Sequence, residues 1–73
     1  MLELAKHFIN KDCLIYFLGG STISGVIKEI SESGNAILLE NGQNTDIVNL
    51  EFVTRIRKYP LDKKGKRKSL ILD

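Results

Sequence analysis

The sequence predicts an all-β domain: a short N-terminal helix, then five antiparallel strands curled into a small, strongly bent barrel. Three observations carry that expectation. Apolar runs of strand length recur from residue 13 to residue 56, separated only by short turn signals, so successive strands pair as antiparallel neighbours. Gly25 stands inside the longest run, where glycine weakens a flat strand but permits a sharp bend at a barrel corner. The chain has 73 residues, enough for one domain whose core alone gives only marginal stability.

The elements follow in order. In "LELAKHFIN", residues 2–10, Leu2, Ala5 and Ile9 share one side with Leu4 and Phe8 beside them, while Glu3, Lys6, His7 and Asn10 take the other. A helix of about two turns is not stable alone and must dock on the sheet. "CLIYFL" is a continuous apolar run closed by Gly19-Gly20, which suits a buried strand and a tight turn. "STISGVIKEI" continues as the bent strand, with the inward face changing identity across the bend. "SESGN" is a loop, "AILLE" a third strand, and the Asn41-Gly42 pair after it is a strong hairpin signal. "DIVNL" and "FVTRI" complete the set of five.

Composition narrows the function. One cysteine, Cys13, and one histidine, His7, allow neither an internal disulfide nor a structural zinc site. A small domain without such staples is expected to associate into a homo-oligomer. The start carries an acid and a base among its apolar residues and lacks a signal-peptide pattern. No apolar run approaches the roughly 18 residues that cross a bilayer. A cytoplasmic location is therefore expected, with no membrane partner. Catalysis has little to work with: no paired carboxylates, no phosphate-cradling glycine motif and no third partner for Cys13 and His7. The chain is not expected to be an enzyme, to use a cofactor or to take a small-molecule substrate.

Charge is divided unevenly along the chain. Residues 1–54 carry three lysines and seven acids, whereas residues 55–73 carry eight bases and two acids. An acidic body with a basic end suggests an anionic partner for that end. The run Lys63, Lys64, Lys66, Arg67, Lys68 could neutralise several phosphates without reading sequence, or serve as a solubilising tail, or pair with the acidic body of a neighbouring subunit. Leu70, Ile71 and Leu72 are too apolar for an ordinary solvated tail. Residues 59–73 thus divide from the body at 1–58 either as a basic tail or as a hairpin extension that adds an extra C-terminal strand.

The order of elements, and the stretch "GGSTISGVIKEISESGNAILLE" followed by "IVNLEFVTRI", resemble the Sm/LSm family and its bacterial relatives. The likeness covers about residues 3–58. It rests on the glycine turn, Gly25 five residues after Gly20, Asn35 in the next loop, Glu40 at the end of the third strand, and Val48, Val53 and Ile56 in apolar places. The resemblance implies a helix-capped, SH3-like (Sm-like) barrel, assembly into a ring in which the fourth strand of one subunit pairs with the fifth of the next, and binding of single-stranded RNA. The family builds its RNA pocket from two corners, and these fall at Asn35 and Asn49. Of the pocket positions only Asn35 matches the family pattern. Ser31 stands for the acid, Ser33 for the stacking residue, and Asn49-Leu50 for an Arg-Gly pair. Losing a stack worth roughly 1–3 kcal/mol per base and a planar donor fork implies a weakened pocket, with RNA held mainly by the basic tail. The alternative is an oligomeric scaffold for protein partners that has lost RNA binding.

Overall fold

Strand pairing follows the turn signals. In the computed structural model, which describes residues 2–60, β1 spans Asp12–Phe17, β2 Thr22–Ser31, β3 Ala36–Asn41, β4 Asn44–Asn49 and β5 Val53–Lys58. All pairs are antiparallel and form one sheet in the order β4-β3-β2-β1-β5. The all-β class is as expected, and the sheet is not closed on itself: β4 and β5 are its two edges. Residues 61–73, with the basic run and the suggested extra strand, lie outside the described residues.

β2 joins the two halves of the sheet. Thr22 to Val26 pair with β1, and Val26 to Ser31 pair with β3. Gly25 sits where the halves meet. A Cβ there would lie 2.7 Å from the Glu40 carbonyl oxygen and 2.9 Å from Leu39 Cγ, so the requirement is close backbone approach. The inward face does change along this strand, but three residues beyond the glycine. Ile23, Gly25 and Ile27 alternate normally; the register then slips between Ile27 and Glu29, and Ile30 pairs with inward Ile37. A bulge at Lys28 makes the switch, adding one residue and reversing the parity of the strand.

The core is built from Cys13, Ile15, Ile27, Ile37, Leu39, Val48, Leu50 and Val53, with Phe8, Ile9, Phe17, Ile23, Ile30 and Ile56 packed against it. Phe52, unlike the equally apolar Phe8 and Phe17, is 53% exposed. The 3-10 turn Leu50–Phe52 separates β4 from β5 and aims Leu50 inward, leaving Phe52 on the surface. The helix is also shorter than its apolar pattern suggests. α1 covers Leu2–Ala5 and tightens into a 3-10 turn at Lys6–Phe8. Ile9 is already extended and bridges Ile27, and Asn10 takes φ 67° while donating its backbone N–H to the Ile27 carbonyl at 2.7 Å. Pairing with β2 ends the helical segment at Phe8, two residues short of the expected helix.

Candidate nucleic-acid interface

The β2–β3 turn builds the first corner. Ser31 Oγ accepts from the backbone N–H of Gly34 at 3.0 Å, and the Asn35 N–H donates to the Glu32 carbonyl at 3.3 Å. Asn35 adopts φ 49°, a left-handed conformation that asparagine tolerates better than most residues. The second corner follows β4. Asn49 Oδ1 accepts from the Glu51 N–H at 2.9 Å and so caps the 3-10 turn. Ladder pairing of Ala36 with Asn49 and a 2.8 Å bond from the Leu50 N–H to the Asn35 carbonyl bring the two corners together. The two asparagines expected at this site are thus neighbours at one end of the β3–β4 ladder. The Asn49 side chain keeps its NH2 as a free donor, while its oxygen is committed to the cap. Leu50 is buried and contributes no polar side chain.

An exposed ion pair between Lys6 and Glu32 ties the helical segment to the first corner. The hydrogen bond from Lys6, reinforced by its charge, holds the Glu32 carboxyl below its usual range, and Glu32 raises the Lys6 ammonium in return. Cys13 lies fully buried in the core. Burial, with the nearby Asp12 charge adding, pushes its thiol up to about 11, which is inert chemistry at neutral pH. Among the described residues no three metal-ligating side chains cluster, and no helix is long and apolar enough to cross a membrane.

The sheet also makes a surface that the sequence did not reveal. Tyr16 pairs with Arg55 and Thr22, and Leu14 pairs with Arg57 and Ser24, so these side chains share the face opposite Cys13 and Ile15. The Arg55 guanidinium lies 5.6 Å from the Tyr16 ring centroid. Arg55 and Arg57 are exposed, giving β5 a basic outer row with an aromatic beside it. The alternation in "FVTRI" and the following arginine puts both arginines on one side. Tyr16 joins them only through the β1–β5 register, 39 residues away in sequence.

Strand order turns the uneven charge into a spatial polarity. Residues 29–54, which include β3 and β4, contain five acids and no base. β5 contributes Arg55, Arg57 and Lys58. The β4 edge thus carries one acid, Asp46, and no base, whereas the β5 edge is basic. Beside the acidic edge a groove of about 390 Å³ runs over the outer face, lined by Glu29, Ser31, Ala36, Leu38 and Ile47 among others.

No protein-family model, curated protein or solved structure matches the chain.

Proposed function

We propose that the chain is an Sm-like RNA-binding protein, a bent barrel acting as a closed homo-oligomer and contacting single-stranded RNA mainly through Lys63, Lys64, Lys66, Arg67 and Lys68. Asn35 and Asn49 supply a minor, hydrogen-bonding pocket. The observation that carries this reading is the basic outer row of β5, where Arg55 lies over Tyr16. A guanidinium beside an aromatic face is suited to a phosphate and an unstacked base together. It continues in sequence into the basic tail, so one anionic strand can be met by both. Opposite charge on the two open edges supports assembly, because a head-to-tail contact that closes would pair the basic edge of one subunit with the acidic edge of the next.

The test is fluorescence anisotropy of a short, labelled U-rich RNA with the full chain at about 150 mM salt, near physiological screening. Saturable binding is the expected result. Replacing the five tail bases by glutamine should flatten the salt dependence, by roughly 0.7 in the log–log slope for each phosphate that is no longer neutralised. No binding at that salt sinks the RNA reading. The second reading, a protein-interaction scaffold, is favoured by Ile47, which is 79% exposed on the open β4 edge. Strand addition there would bind an extended peptide with little sensitivity to salt.

A further inference from the structure

We infer that the groove on the outer face of β3 and β4 is the seat for residues 69–72, "SLIL", of a neighbouring copy of this chain. The inference rests on the head-to-tail assembly proposed above. Leu38 pairs with Ile47 across the ladder, and Ala36 lies one pleat along the same face, so the groove floor is a continuous apolar strip. Ile47 leaves most of its surface uncovered. Glu29 stands at the groove, directly across the ladder from Leu38, and no base is among the residues that line it. The site therefore favours an apolar segment that carries positive charge and rejects a negative one.

The chain itself supplies such a segment. After Pro60 it continues for 13 residues, in which five bases at 63–68 precede Leu70, Ile71 and Leu72. Those 13 residues span up to roughly 40 Å when extended, ample to cross from the β5 edge of one copy onto the β4 face of the next. Head-to-tail pairing would put these two edges side by side and bring the groove of the adjacent subunit within that span. The apolar side chains would meet Ile47 and Leu38, and the preceding lysines would pass the acids. Anchoring the end of the tail in this way would hold its bases at the seam between subunits.

The test uses the full chain carrying L70S/I71S/L72S, whose own groove is left vacant, and a fluorescein-labelled peptide of residues 61–73. Saturable binding in trans is expected, weakened about tenfold or more by Ile47→Ser and by Glu29→Lys. Both positions are exposed, so unchanged circular-dichroism melting can confirm that these variants fold. Equal affinity for a scrambled peptide of the same composition would show a generic charge contact and overturn the inference. So would no binding, or affinity indifferent to Ile47 and Glu29. Light scattering on the same samples separates the two levels. A monomeric wild-type chain refutes head-to-tail assembly and the neighbour's seat with it. An oligomer whose groove ignores the peptide refutes the seat alone.

Discussion

Leu50 donates its backbone N–H to the carbonyl of Asn35 at 2.8 Å, and this bond fixes the two corners of the candidate pocket to each other. Its geometry depends on the Asn49 cap that starts the 3-10 turn. Asn49→Ala should therefore cost about 1 kcal/mol of stability, the usual loss for a capping side chain. RNA affinity should fall with it if the pocket contributes. Asn35 presents a different requirement, since its φ of 49° penalises a branched side chain. Asn35→Val should cost roughly 1–2 kcal/mol, while Asn35→Gly should be nearly neutral. Urea denaturation of the three variants checks all of this, and a Val variant as stable as the Gly variant would contradict the assigned conformation.

Gly25 is expected to be the least replaceable residue of the sheet. Even an alanine Cβ would sit 2.7 Å from the Glu40 carbonyl oxygen, and backbone cannot move aside as a flexible side chain can. Gly25→Ala should destabilise by about 1–3 kcal/mol, the range for overpacking. Gly25→Val, with two further branches, should leave the chain unfolded. Melting followed by circular dichroism decides the point, and an unchanged midpoint for the alanine variant would refute the close approach.

The sequence made the elements legible because each was announced locally. Gly19-Gly20 and Asn41-Gly42 bounded the apolar runs, and Gly25 marked the junction of the two halves. What it could not show depended on long-range register. The Lys28 bulge shifts parity without any residue type that announces it. Phe52 looked like core by hydrophobicity, yet the turn that buries Leu50 points Phe52 outward. The helix stops two residues early because Ile9 and Asn10 pair with Ile27, a residue far along the chain. The Asn35–Asn49 corner could be anticipated through resemblance alone. The Tyr16–Arg55 surface needed the β1–β5 pairing, which no local pattern encodes.

The Lys6–Glu32 ion pair gives a small pH dependence with a definite sign. Glu32 has its folded pKa below the ordinary value of 4.5, so its contribution is present above that value and is lost as pH falls through the lowered one. Lys6 has its folded pKa above 10.5, so its contribution is complete below that value and is lost as pH rises through the raised one. The pair should thus stabilise across the neutral range and fade at both extremes. Both groups are exposed, so salt should screen the effect. Comparing urea midpoints of the wild type and Glu32→Gln across acid pH, at low and high salt, checks it. A gap between the two proteins that is insensitive to both pH and salt would argue against the ion pair.

Cys13 is expected to be silent in the folded protein. Its side chain is fully buried, and its thiol, pushed up to about 11, is almost entirely protonated near neutral pH. A thiol reagent at about pH 8, half a unit below the ordinary thiol pKa, should label the unfolded chain rapidly and the native chain only through opening. The labelling rate then reports the stability of the core around Ile15 and Leu39. Rapid labelling of the native protein would mean that β1 is not buried.

Complementary charge on the two sheet edges makes assembly the prediction with the widest consequence. Wild-type protein should scatter as a multiple of its 8.2 kDa chain mass and dissociate as salt rises. Arg55→Glu with Arg57→Glu makes both edges acidic and should favour the monomer. Exposed pairs are worth roughly 0.2–1 kcal/mol each, so removing two attractions should weaken association by up to about thirtyfold, and like-charge repulsion should weaken it further. Adding Asp46→Arg on β4 should recover part of the affinity, since it restores opposite charge across the proposed contact. Glu3→Arg, an equal change of net charge at an exposed position away from both edges, should give no such recovery, and equal recovery by the two changes would mean a general effect of net charge rather than an edge-to-edge contact. If Lys28→Glu with Lys11→Glu, which alters net charge as much without touching β5, dissociates the assembly equally well, the edge contact is wrong.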